Sequence, residues 1–105
     1  MIQNYQSLAD NELLKLLPTD RHVFDFIYKK YHHEVTAFAI SFFPGCHAIE
    51  DCVQDTWATL YTKGSRGELN HYRSIAGFMK FCVRNRLVNH HNYEKRFVSF
   101  DFWDE

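Results

Sequence analysis

Apolar positions recur along this chain every three or four residues, which is the period of a helix and not of a strand. Four segments carry that period. Leu13, Leu14 and Leu17 follow Asp10, a good N-cap, and stop at Pro18, so a first helix is expected there. Thr19 or Asp20 then caps a second helix carrying Val23, Phe24, Ile27, Tyr28, Tyr31, Val35, Phe38 and Ala39, closed by Pro44-Gly45. A third is expected from about His47 to Thr62 and a fourth from about Ser74 to Lys95, joined by a polar, glycine-containing loop from Lys63 to His71. No hairpin dipeptide lies between alternating apolar runs, so no strand is expected. The expected fold is all-α, a compact bundle of three or four helices without internal repeats. The aromatic stripe Phe24, Tyr28, Tyr31 and Phe38 is expected to pack in its core, because aromatics bury large areas.

The third helix divides most sharply. At 100° per residue, Ile49, Cys52, Val53, Thr56, Trp57 and Leu60 share one face; Glu50, Asp51, Gln54, Asp55 and Ala58 share the other. No Lys or Arg stands three or four residues from the carboxylates to pair with them inside the helix. Acidic residues early in a helix are favoured by its dipole, so a merely solvated face accounts for part of the pattern. Taken alone the pattern fits a solvated face better; its uniform sign also leaves an acidic surface that a basic partner could use.

Charge adds a second polarity. Residues 1–72 carry six Lys/Arg against nine Asp/Glu, residues 73–96 carry six against one, and residues 97–105 carry three acids alone. A near-neutral chain with one concentrated basic segment is a candidate for local nucleic-acid binding, or for a helix face that simply stays solvated. In the fourth helix Ile75, Phe78, Met79, Cys82 and Val83 form the apolar face, with Lys80 and Arg84 opposite. Arg73 joins their line if the helix starts early, and His91 continues it. Cations in a row can follow a phosphate backbone, with strongly salt-dependent binding. Arg86 points nearer the apolar side, where it either snorkels or marks a bend.

The order Glu50-Asp51-Cys52-Val53-Gln54-Asp55-Thr56-Trp57, ending in Leu60-Tyr61, resembles region 2.2 of bacterial sigma factors, especially the extracytoplasmic-function (ECF) group. Ile49 stands for the usual Ala, Trp57 for Phe and Tyr61 for Trp. Leu13-Leu14 with Phe24, Tyr28 and Tyr31 is loosely similar to region 2.1. Phe78-Met79-Lys80-Phe81-Cys82-Val83-Arg84-Asn85 is similar to the Trp-Leu-x-x-Ile-Ala-Arg-Asn of regions 2.3 and 2.4. Two positions depart: Asn89 replaces the usual Asp, and Asn92 replaces an Arg, which removes one expected phosphate contact.

The resemblance spans roughly residues 8 to 96 and implies a transcription initiation factor domain of the sigma region 2 type. It implies that Glu50, Asp51, Gln54 and Asp55 dock on a coiled coil of the largest catalytic subunit of core RNA polymerase. It further implies that the loop and last helix recognise and open the promoter −10 element on the non-template strand. Arg73, Lys80, Arg84, Asn85, Arg86, Lys95 and Arg96 become the DNA contacts, and the loop from Gly64 to Asn70 the pocket for an unstacked base. His71, Tyr72 and Phe81 offer stacking surfaces. An anti-sigma factor is a further expected partner.

Residues 1–96 form the expected domain, and residues 97–105 look like the start of an acidic, aromatic linker. The helix-turn-helix domain that usually follows is absent, which favours a shortened piece of a longer protein over a lone domain. A cytoplasmic location is expected: the N-terminus lacks the pattern of a secretion signal, no apolar run approaches a membrane span, and Cys46, Cys52 and Cys82 read as free thiols. No cofactor or metal is expected, since neither His90 with Glu94 nor Cys46 with His47 completes a ligand set. No enzymatic role is expected either, for want of a catalytic motif. The competing reading is a degenerate sigma-like module acting only through protein contacts, and the discriminating feature is whether Lys80 and Arg84 are tied up in internal salt bridges.

Overall fold

The computed structural model describes the backbone of residues 4–103 and the side chains of residues 4–93. A short 3-10 turn (Tyr5–Ser7) leads into α1 (Asp10–Leu16), α2 (Arg21–Phe42), α3 (Ile49–Ser65) and α4 (Ile75–Trp103). There is no strand among the described residues, and the fold is the expected helical bundle. The fourth helix runs beyond Lys95 to Trp103, so the backbone of the segment read as linker is helical that far.

Side-chain contacts fix the packing register. Tyr28 and Phe24 of α2 meet Trp57 and Tyr61 of α3, so these two helices are antiparallel. Glu34 and Phe42 of α2 meet Lys80 and Arg84 of α4, in parallel. Thr59 of α3 meets Arg86 of α4, and His47 meets His90, which makes that pair antiparallel.

The core is more aliphatic than the aromatic stripe suggests. Val23, Ile27, Val35 and Ala39 of α2 are fully buried against Leu13, Leu14, Leu60, Ile75, Met79, Val83 and Leu87. Phe24, Tyr31 and Phe38 are only partly buried, and Tyr28 is 38% exposed. The partly buried rings pack around the edge of this aliphatic core. Trp57 and Phe78 are the aromatics that do enter the core, at 5% and 7% exposure. The Trp57 indole N–H is buried there without a hydrogen-bond partner among the described residues.

Capping places the helix ends. Asp20 caps α2 through its carboxylate, which accepts from His22 N–H at 3.0 Å and from the Tyr5 hydroxyl at 2.6 Å. Ser74 caps α4, accepting from Gly77 N–H at 2.9 Å. Asp10 does not cap its own helix: Ala9 precedes α1, and the Asp10 carboxylate turns inward. The third helix passes Thr62 and Gly64 and stops only at Gly67, which has φ +75°. Gly67 N–H bonds Gly64 C=O and Glu68 N–H bonds Lys63 C=O, both at 3.0 Å, a Schellman ending that requires the left-handed residue at Gly67.

Candidate functional site

One turn of α3 after another presents the same chemistry outward. Glu50, Asp51, Gln54 and Asp55 are all exposed, while Cys52, Val53, Thr56, Trp57 and Leu60 anchor the opposite face in the core. The one buried polar residue of that face, Thr56, is satisfied by donating to Cys52 C=O at 2.7 Å. None of the three carboxylates pairs with a cationic side chain among the described residues. Exposed Ala58 leaves the strip low enough for a partner backbone to approach. Beside it runs a groove of about 540 Å³ between α2 and α3, where Tyr28, Ile40, Ile49 and Val53 meet Glu50 and Gln54. The strip therefore offers negative charge next to apolar surface.

The basic residues do not form one free row. Lys80 and Arg84 lie along the seam with α2, because α4 packs against both α2 and α3. Lys80 Nζ sits 2.7 Å from Glu34 Oε2 and 5.8 Å from the centre of the Phe38 ring. Arg84 stacks its guanidinium 5.8 Å from the Phe42 ring centre and has no acidic partner among the described residues. Asn85 is exposed one residue on, and Phe81 is 59% exposed one turn before it. Arg73 lies ahead of α4, exposed in the approach to Ser74, so it does not continue a helical line with Lys80 and Arg84. Arg86 is half-buried and donates to the Thr59 hydroxyl of α3, which settles its orientation: it reaches across the α3–α4 seam. His91 packs 4.8 Å from the Phe43 ring. The side chains of Lys95 and Arg96 lie outside the described residues.

The connection from α3 to α4 is shorter than the expected loop. Gly64 belongs to α3 and is buried against Leu17, so it cannot line a base pocket. From Arg66 to Ser74 the chain turns tightly, with Leu69 buried and His71 exposed. The His71 ring lies 4.3 Å from Tyr72, and Tyr72 packs edge-on against Phe78 at 4.8 Å. The aromatics thus form a short ladder from solvent into the core.

Other chemistry is quiet. Burial is the main cause that raises the Cys52 and Cys82 thiols above their ordinary values, which keeps them protonated and unreactive. Among the described residues no cluster of three or more His, Cys, Asp or Glu side chains is placed to hold a metal.

The profile of the Sigma-70 region 2 family matches residues 27–97, from mid-α2 through α3 into α4. The chain belongs to that family. Sigma-70 region 2 serves transcription initiation and is not an enzyme family; its partners are core RNA polymerase and promoter DNA. No curated protein and no solved structure matches the chain significantly. Both faces of this sigma region 2 lie inside the matched span, whereas α1 and the first residues of α2 lie before it. No helix among the described residues is long and apolar enough to cross a membrane.

Two features of the sigma region 2 surface escaped the sequence reading. Glu34, Phe38 and Phe42 occupy one edge of α2 and receive the cations of α4. Their i, i+4, i+8 spacing was visible, but the partner helix was not. Thr59, assigned to neither face of the third helix, accepts a hydrogen bond from Arg86.

Proposed function

We propose that this domain is of the ECF type and docks on core RNA polymerase through Glu50, Asp51, Gln54 and Asp55. The expected counterpart is a basic coiled coil of the largest catalytic subunit. The observation that carries this reading is the set of exposed carboxylates without internal partners. A face whose charge is unspent inside the fold is available to a cationic partner, and charge complementarity sets register and on-rate. The wording of the α3 motif supports the ECF assignment.

On the other side, Arg84 and Asn85 with Arg73, and Lys95 and Arg96 further along, contact the −10 element. Lys80 contributes when a phosphate replaces Glu34. Exposed Phe81 and His71 stack against bases once the strand opens, and Asn85 reads a base edge. Arg86 holds α4 to α3 instead of reaching the strand.

Capture of bacterial core RNA polymerase on the immobilised domain, beside Asp51→Lys, tests the docking reading. Capture by the wild type and loss by the variant are expected. Equal capture by both overturns the assignment of the face. The second reading, a sigma-like module acting only on proteins such as an anti-sigma factor, draws support from one observation: Lys80 is already paired with Glu34. Failure to capture polymerase by a folded domain would favour it.

A further inference from the structure

The geometry points to Glu34 as a negative determinant of DNA affinity: its carboxylate occupies the Lys80 ammonium as an internal counter-ion, which a phosphate must displace. This inference rests on the reading of α4 as the DNA face.

Three observations carry it. Glu34 Oε2 is 2.7 Å from Lys80 Nζ, well inside hydrogen-bond range. Phe38, one turn after Glu34 on α2, lies beneath the same ammonium at 5.8 Å and helps hold the lysine stem to α2. Both charged side chains remain partly open, at 34% and 49% exposure, so a strand can reach them. One turn further, Arg84 has the equivalent aromatic, Phe42, but no carboxylate among the described residues. Two cations on one helix edge are thus held in matching ways and differ in a single respect.

The electrostatic consequence is local. A carboxylate in contact with the ammonium is not screened, whereas acids on the far side of the bundle stand beyond or near the Debye length of about 10 Å at 0.1 M salt. A phosphate approaching Lys80 meets Glu34 repulsion and must take over a hydrogen bond already made. Its binding exchanges one anion for another and releases fewer counterions than a free lysine would. Glu34 therefore lowers both the affinity and the salt dependence that α4 would otherwise have.

The test uses the whole chain and a fluorescein-labelled single-stranded DNA of mixed sequence, since phosphate attraction does not depend on sequence. Anisotropy titrations at several salt concentrations compare the wild type with Glu34→Gln, Lys80→Met, Arg84→Gln and the Glu34→Gln/Lys80→Met pair. Glu12→Gln, on exposed α1 surface and still able to accept the Ala9 N–H, controls for net charge. Glu34→Gln is expected to bind about fivefold tighter at low salt, in line with the loss of a partly exposed ion pair. Its slope of log affinity against log salt should steepen by about 0.7, one added single-strand phosphate contact. Both gains should vanish in the Lys80→Met background, and Glu12→Gln should match the wild type.

A Glu34→Gln variant indistinguishable from wild type, with Arg84→Gln weakened, overturns the inference and leaves the α4 reading standing. A gain that survives Lys80→Met, or that Glu12→Gln reproduces, also overturns it, because the effect is then one of overall charge. An Arg84→Gln variant that binds as the wild type does removes the α4 reading, and this inference with it.

Discussion

The Asp10 carboxylate in α1 accepts the backbone N–H of Ile75, the first residue of α4, at 2.8 Å across 65 positions of sequence. Its other oxygen accepts the Tyr31 hydroxyl of α2 at 2.7 Å. One side chain thus pins three helices at one end of the bundle and satisfies an N–H that α4 cannot pair within itself. Asp10→Ala should lose roughly 1–3 kcal/mol of stability, combining a lost cap with a lost side-chain bond. Asp10→Asn keeps one acceptor and should recover part of that. Thermal melts of the two variants check this; equal melting temperatures for Asp10→Ala and wild type would refute the pinning role.

Tyr31 ties the same node to pH. Burial first, and the bond to Asp10 second, push its hydroxyl well above the ordinary tyrosine range. A group whose folded pKa is raised contributes stability that is fully present below its unfolded value near 10 and is lost as pH rises above it. Urea midpoints measured from neutral to strongly alkaline pH should fall more steeply for wild type than for Tyr31→Phe, which cannot ionise there. Asp20 behaves in the opposite sense. The Tyr5 hydroxyl lowers its carboxyl, so that stability is present above about 3.9 and is lost as pH falls through the folded value. Tyr5→Phe should narrow its deficit against wild type in acid.

Trp57 separates size from polarity. Trp57→Ala should cost roughly 3–5 kcal/mol, as a large cavity opens beneath Tyr28 and Phe24. Trp57→Phe should cost less than about 1.5 kcal/mol, because it also removes an indole N–H that is buried without a partner. Chemical denaturation of both variants decides the matter. Comparable losses would mean that the N–H finds an acceptor in solution.

The docking strip should be nearly silent in folding. Asp55→Lys changes an exposed residue with no ion-pair partner among the described residues, so its melting free energy should move by less than about 1 kcal/mol. Loss of polymerase capture with an unchanged melt is the expected pair of results.

How much of this was legible varied with the kind of contact. The faces of α3 and α4 were legible residue by residue, because burial follows a 3.6-residue period. Cys52, Val53, Thr56, Trp57 and Leu60 lie inside as expected, as do Ile75, Phe78, Met79 and Val83. Positions that depend on a second helix were not. Asp10 has the composition of a local cap, yet it serves a helix encoded 65 residues later. Gly64 and Gly67 both fall in the loop expected after the third helix. Only Gly67 takes the left-handed backbone, while Gly64 is small because Leu17 lies against it. Lys80 looked solvent-directed on its own helical wheel, and it is α2 that supplies Glu34.

The Thr59 hydroxyl does two things at once: it donates to Asp55 C=O at 3.0 Å and accepts from Arg86. Two hydrogen bonds therefore run from the backbone of the docking strip to the guanidinium of α4. The acidic face of α3 and the fourth helix thus share one side-chain link, and the position of Arg86 is fixed from the α3 side.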